Sequence, residues 1–224
     1  MTALTSTEWS LAARPVGMPK LSDFQKKTVD VPPPGAGEIQ VKNTWMSVDP
    51  YMRGRMADAT VCPLNQVINV GGGAVGVVEK STAEGFKEGD IVTNNMAWTE
   101  TFVAGPEGLA VVNQNVDLKA YLSVLGMPGF TAYGGLLHTG ELKEGERVFV
   151  SAASGAVGSM VGQIAKIKNC TVIGSAGSDE KVAYLTQELG FDHAFNYKTA
   201  DILAELKAGS PKGLDVYFEN VGGA

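Results

Sequence analysis

Two groups of residues in this 224-residue sequence are of a type and spacing that could do chemistry. The first, Ala153-x-Gly155-x-x-Gly158, follows the apolar run Val148-Phe-Val150 and leads into Ser159-Met-Val-Gly-Gln-Ile-Ala-Lys-Ile167. It fits the dinucleotide pattern G-x-G-x-x-G with Ala at the first position. In that pattern Gly155 lets backbone approach phosphate oxygens, and Gly158 lets the helix lie close to the strand. The helix N-terminus then holds the anion on its free amides and positive dipole end. Gly155, Ala156, Val157 and Gly158 are thus candidates for a pyrophosphate cradle, although an ordinary strand-to-helix turn has the same composition. The second group is Gly174-Ser-Ala-Gly-Ser178 with Lys181, at the end of the next apolar run. A site for NAD wants a carboxylate there to accept from the ribose 2′-hydroxyl. None occurs before Asp179 and Glu180, so small residues, hydroxyls and an ammonium suit a 2′-phosphate, and the predicted cofactor is NADPH. A charge-assisted hydrogen bond is worth about 1.5–3 kcal/mol, so Lys181 alone favours NADPH by about ten- to a hundredfold. Ser178 also reads as a helix N-cap with two acids in its first turn, and the two roles are compatible.

Positioning these residues takes alternating strands and helices. Val148–Val150 predicts a buried strand, and Val161, Ile164, Ala165 and Ile167 mark the apolar stripe of the helix after it. A strand at 171–175, a helix at 180–189, a short strand at 194–196, a helix at 200–208 and a strand at 214–219 complete a doubly wound α/β half. Its expected strand order, 3-2-1-4, leaves the fourth strand as an open edge. Before about residue 120 the pattern changes. Glu38–Val48 predicts a strong strand after the turn-forming Pro32-Pro-Pro-Gly35, and 70–79, 89–93 and 98–103 predict shorter ones. The sequence is therefore read as a β domain over residues 1–122 and an α/β domain over 123–224.

Composition narrows the class. Hydrophobic residues at 44% and charged residues at 19% are those of a globular protein with a core. A formal net charge of −6 argues against nucleic acid as a partner. No apolar run is long enough for a membrane span, and no secretory pattern opens the chain, so the expected location is the cytoplasm. Cys62 and Cys170 form no C-x-x-C and predict two free thiols. Only Cys62 precedes residue 120 and both histidines, His138 and His193, follow it. A zinc site in the β domain lacks its thiolate and imidazole ligands, and no metal is expected.

Six blocks together carry a family resemblance: Ser47-Val-Asp-Pro-Tyr-Met-Arg-Gly-Arg-Met56, Val124-Leu-Gly-Met-Pro-Gly-Phe-Thr-Ala-Tyr133, Ala152–Ser159, Ala176-Gly-Ser-Asp-Glu-Lys181, Leu189-Gly-Phe-Asp192 with Asn196-Tyr-Lys198, and Glu219-Asn-Val-Gly-Gly223. The chain resembles the zinc-independent medium-chain dehydrogenases/reductases of the prostaglandin reductase and alkenal double-bond reductase group. Within that group it resembles in particular the bacterial NADPH-dependent curcumin reductases, mainly through Asp49–Met56. The resemblance implies a GroES-like β domain beside a Rossmann domain, with the active site in the cleft between them. It places Gly155 to Gly158 at the pyrophosphate, Lys181 and Tyr197 at the 2′-phosphate and adenine end, Asn220 near the nicotinamide ribose, and Met127 and Thr131 along the nicotinamide. Tyr197 also reads as a half-buried strand-end tyrosine, and Asn220 as a turn residue before glycines. Members of the group continue well beyond Ala224, so the Rossmann part is expected to be incomplete at its C-terminus, and the full-length protein is expected to be a homodimer.

Without a metal, conjugate reduction needs less help than carbonyl reduction. Hydride from NADPH attacks the β-carbon of an enone, and the enolate oxygen then needs a positioned donor before the α-carbon is protonated. Tyr51 is the candidate donor, or else a packed tyrosine bonded to backbone. Arg53 and Arg55 are expected to organise the domain through salt bridges. The expected function is NADPH-dependent reduction of the carbon–carbon double bond of small enones and alkenals. A quinone reductase and a non-catalytic NADPH-binding fragment are the alternatives.

Overall fold

The computed structural model describes residues 4–66, 68 and 72–222. The chain divides into two compact units, Met1–Leu122 and Ser123–Ala224.

In the first unit, β1 (Leu4–Leu11) and β2 (Phe24–Val31) form an antiparallel hairpin. β3 (Ile39–Met46), the helix α1 (Tyr51–Ala57), β4 (Ala74–Ser81), β5 (Ile91–Asn94), β6 (Thr101–Ala104) and β7 (Ala110–Val111) follow. They build an antiparallel sheet of order β6-β3-β4-β5-β7. Ile39, Val41, Val78, Val92 and Phe102 form its core, each side chain contributing about 1.5–3 kcal/mol by leaving water. Two register shifts in the β3–β4 ladder move the apolar positions between faces. A Cβ at Gly76 would lie 2.7 Å from the Lys42 carbonyl oxygen, so this crossing tolerates only glycine. The expected strand at 70–79 begins at Ala74, its positions 70 and 71 lying outside the described residues.

The hairpin and α1 are absent from the sequence reading. β1 reads Leu-Thr-Ser-Thr-Glu-Trp-Ser-Leu, and its inward positions include Ser6 and Ser10, which are small, polar and nonetheless buried. α1 holds Gly54, and its N-cap Pro50 offers no side-chain cap, so its start lacks a signal. Its Met52 and Met56 pack with Leu11, Cys62 and Ile68. The expected salt bridge of Arg53 is corrected, since among the described residues it makes none. Arg53 instead donates to the backbone carbonyls of Gly17 and Pro15, both at 2.9 Å, and Arg55 lies 4.8 Å over the Tyr51 ring.

The second unit opens with α2 (Met127–Tyr133), which runs on into a wider π-helical stretch at Gly134–Thr139. β8 (Arg147–Val150), α3 (Ala156–Ile167), β9 (Thr171–Ala176), α4 (Asp179–Ala183) with a π-helical extension to Glu188, β10 (His193–Asn196), α5 (Ile202–Gly209) and β11 (Val216–Phe218) complete it. All four strands are parallel in the order β10-β9-β8-β11, which is the expected 3-2-1-4. Both faces of the sheet are covered. Val148, Val150 and Val172 pack on Val161 and Ala165 of α3, while Phe149, Ile173 and Phe195 form a second cluster against Leu206 of α5. Side chains of one strand thus alternate between two cores, which is why its run is continuously apolar.

The helix boundaries shift for local reasons. α3 begins at Ala156 because Gly155 is its extended N-cap, and α5 begins at Ile202 because the Asp201 carboxylate accepts from the amides of Leu203 and Ala204. Ile167, expected in the buried stripe, is 80% exposed at the helix end. The fourth strand contracts to Val216–Phe218, its approach fixed by Asp215, which accepts from the Arg147 backbone and is bidentate with the Arg147 guanidinium.

Packing of α3 on the sheet depends on Gly162, where a Cβ would lie 2.1 Å from the Phe191 ring. Gly162→Ala is expected to destabilise the chain by about 1–3 kcal/mol, because overpacking outweighs the helix-propensity gain. Gly134, helical with open space around it, is the control, and Gly134→Ala is expected to stabilise by up to about 1 kcal/mol. Urea unfolding midpoints read both, and a raised midpoint for Gly162→Ala refutes the packing account.

Candidate functional site

The carboxyl ends of β8, β9, β10 and β11 surround one cavity of ≈ 640 Å³ in the second unit. Such crevices form where crossovers leave a parallel sheet on opposite sides. On the β8 side, Ala152 takes a left-handed conformation (φ 44°), the Ala153 amide donates to the Ser175 carbonyl at 2.9 Å, and Gly155 starts α3. A Cβ on Gly158 would lie 2.6 Å from the Ala152 oxygen, so the absence of a side chain is what allows α3 to sit on this turn. Gly155 lines the cavity directly. Ala156, Val157 and Gly158 form the first helical turn behind it, with Val157 packed on the core.

The three helices that follow strands in this unit are capped differently. Ser178 caps α4 by accepting from the Lys181 amide, and Asp201 caps α5. α3 has neither a side-chain cap nor an acid in its first turn. Its leading amides, which no helix can satisfy internally, lie at the turn that borders the cavity. That combination is suited to an anion.

At the β9 and β10 ends, Ser178, Lys181, Tyr197 and Lys198 share the cavity wall. The Tyr197 hydroxyl and the Lys198 Cε lie 3.3 and 3.5 Å from where a Cβ on Gly177 would stand. Asp179 is turned to the Asn196 side-chain amide, which donates to it at 2.8 Å. Tyr197 is 48% exposed, as a strand-end tyrosine would be. Lys198 is absent from the sequence prediction, although it adjoins Tyr197 in the Asn196-Tyr-Lys198 block.

At the β11 end, Asn220 donates from its side-chain nitrogen to the Ser151 carbonyl at 2.9 Å and from its backbone to the Ser151 hydroxyl at 2.7 Å. Its side chain is thereby used as a turn residue would use it. Glu219, also unpredicted, lines the cavity and accepts from Ser151. Met127 and Thr131 are not among the residues lining this cavity. They lie one turn apart on α2, where the Thr131 hydroxyl donates to the Met127 carbonyl at 2.8 Å.

Tyr51 opens α1 in the first unit and is 38% exposed. Its phenol is held above the ordinary tyrosine value, first by desolvation, then by the negative charge of Asp49 and hydrogen bonding to it, with Arg55 and the Gly72 backbone opposing. Asp49 in turn accepts from the Ser47 hydroxyl at 2.8 Å, and that hydroxyl accepts from the Gly73 amide at 2.9 Å.

Among the described residues no three or more His, Cys, Asp or Glu side chains are placed to hold an ion. Cys62 is buried among Leu11, Met52 and Met56, the Cys170 thiol donates to the Lys143 carbonyl, and His193 is engaged by Glu205 at 2.7 Å. Among the described residues no helix is long and apolar enough to cross a membrane.

Known proteins share this fold. Residues 7–112 match the family model described as N-terminal domain of oxidoreductase, and residues 156–224 match the one described as zinc-binding dehydrogenase. YfmJ of Bacillus subtilis is 51% identical over 217 residues, NADPH-dependent curcumin reductase of Escherichia coli 40% over 220, and prostaglandin reductase 1 of Rattus norvegicus 46% over 220. These matches take in 95–96% of this chain but 63–65% of the relatives, so the chain spans just under two thirds of their length. Among solved structures, CurA from Vibrio vulnificus superposes with a TM-score of 0.88 at 43% identity, covering 97% of this chain and 65% of CurA. CurA in complex with NADPH gives 0.87. With both domain models matched in order and 97% of this chain superposing on CurA, the chain belongs to the medium-chain dehydrogenase/reductase family.

Proposed function

We propose that this chain is part of an NADPH-dependent, zinc-independent reductase of the carbon–carbon double bond of α,β-unsaturated ketones and aldehydes. The observation that carries the reading is the cavity at the carboxyl ends of β8 to β11. It has an uncapped helix N-terminus on one side and Ser178, Lys181 and Tyr197 on another, with the nearby Asp179 drawn off by Asn196. Gly155 to Gly158 would hold the pyrophosphate, and Lys181, Ser178 and Tyr197 the 2′-phosphate and adenine end. Asn220 would meet the nicotinamide ribose with the part of its side chain that Ser151 leaves free, and Met127 and Thr131 would line the nicotinamide. Relatives named as curcumin and prostaglandin reductases support an enone as substrate.

When bound, NADPH supplies the hydride. Tyr51 is the proposed donor to the oxygen on which the enolate charge develops. Its raised pKa keeps the phenol protonated, and able to donate, throughout the neutral and mildly alkaline range. Among the described residues no zinc ligands converge, and in the proposed reaction oxygen stabilisation rests on hydrogen bonding. Cys62 and Cys170 are buried and not joined in a disulfide, which suits a reducing compartment, and the cytoplasm is the proposed location. Homodimerisation of the whole protein is proposed from the family resemblance.

Fluorescence titration with NADPH and NADH tests the cofactor. Lys181→Ala is expected to weaken NADPH about ten- to a hundredfold while leaving NADH nearly unchanged. An unchanged NADPH/NADH ratio would refute the phosphate assignment. Gly158→Val is expected to weaken both nucleotides, because its side chain meets the Ala152 backbone.

For Tyr51, the whole protein with Tyr51→Phe is expected to lose turnover of an enone by about 10²-fold or more with NADPH affinity retained. Full activity would make Tyr51 structural. The difference in alkaline ultraviolet titration between the protein and Tyr51→Phe reports this phenol alone. It is expected to ionise above its ordinary value of 10.0, and Asp49→Asn is expected to bring that ionisation down.

A further inference from the structure

We infer that Glu219 is a positioning residue of the nucleotide cavity, which ties the loop leaving β11 to the turn leaving β8 and so sets where Asn220 stands. The inference rests on the dinucleotide reading of that cavity. One carboxylate oxygen, Oε1, accepts from the Ser151 hydroxyl at 2.9 Å and from the backbone amides of Val221 and Gly222, the latter at 3.0 Å. The same Ser151 hydroxyl oxygen accepts from the Asn220 amide, and the Ser151 carbonyl accepts from the Asn220 side chain. Serine 151 and glutamate 219 each stand one residue past the last paired position of their strands, Val150 opposite Phe218. Side chains therefore extend by one step a strand pairing that the backbone ladder has stopped making.

The type of residue matters. A carboxylate at the wall of a cavity meant for a polyanion repels it unless local donors spread the charge. Here the donors are a hydroxyl and two amides of the same loop. Burial raises the Glu219 pKa, but the Val221 and Gly222 amides and the Ser151 hydroxyl outweigh it and hold the group below the usual carboxylate range. Glutamate 219 is thus ionised at neutral pH, and its charge is spent on shaping the loop. Removing it leaves the Ser151 hydroxyl and two amides without their acceptor, and loosens the segment that carries Asn220, which Ser151 then holds through the two Asn220 bonds.

Hydrogen exchange on the chain without nucleotide tests the tie directly. Glu219→Ala is expected to speed exchange of the amides of Ser151–Ser154 and Asn220–Gly222, and Glu219→Gln, which keeps an acceptor oxygen, to restore most of the protection. Titrations then read the consequence. Glu219→Ala is expected to weaken NADPH and NADH alike by about tenfold, with Gln close to wild type. Ser151→Ala is expected to behave in the same way, and the double variant no worse than Glu219→Ala, because both remove one linked unit. Wild-type exchange in Glu219→Ala, additive losses in the double variant, or a change confined to NADPH would each overturn the proposal. Should Glu219→Ala fail to fold, Ser151→Ala with Glu219→Gln decides in its place. A wild-type chain that binds neither nucleotide refutes the dinucleotide reading, while the exchange comparison still decides whether Glu219 holds the loop.

Discussion

Everything proposed for the second unit depends on how closely α3 can sit on the turn that precedes it. The Ala152 carbonyl oxygen occupies space that any side chain at residue 158 would need, coming within 2.6 Å of an added Cβ. That contact fixes the start of the helix against the end of β8. It also requires the left-handed Ala152, whose strain is offset by the buried Ala153 and its bond to Ser175. With the turn locked, the helix presents its unsatisfied amides to one place, and an anion there needs no rearrangement of the backbone to be held.

The rest of the unit supports that placement by burying both faces of the sheet. α3 on one side and α5 on the other press on alternate residues of the same short strands. The strands therefore cannot slip without exchanging two cores at once. Register being fixed, four strand ends are brought level at one edge, and the residues just beyond them are grouped whatever their separation in sequence. Ser151 and Glu219 are 68 positions apart and share a hydrogen bond for this reason.

The α/β half was legible because its signals are local. Apolar runs end in glycine, Ser178 begins a capped helix, and the strand order follows from the crossovers. The hairpin β1–β2 and helix α1 were not legible, because their burial depends on partners that the local pattern does not reveal. Ser6 and Ser10 look like surface residues until the sheet beside them is known, and the Ser6 hydroxyl accepts from the Thr101 amide across 95 positions. At the candidate site the glycines, Ser178 and Lys181 could be read from motif and spacing, and Tyr197 only through the family resemblance. Lys198 and Glu219 could not, since nothing local distinguishes a charged strand-end residue that borders a cavity from one that faces water.

The handling of charge decides what this cavity can accept. Two carboxylates stand at or beside it, and each is answered by neutral donors, Asp179 by the Asn196 amide and Glu219 by Ser151 and two backbone amides. Among the described residues neither acid is ion-paired with Lys181 or Lys198. Had the acids been paired with those lysines, a phosphate would have had to break ion pairs to bind, and its gain would largely cancel. Because the acids are satisfied by dipoles, the ammonium charge remains for a ligand. In a protein with an overall charge of −6, local arrangement of this kind, and not net charge, is what makes an anion site possible.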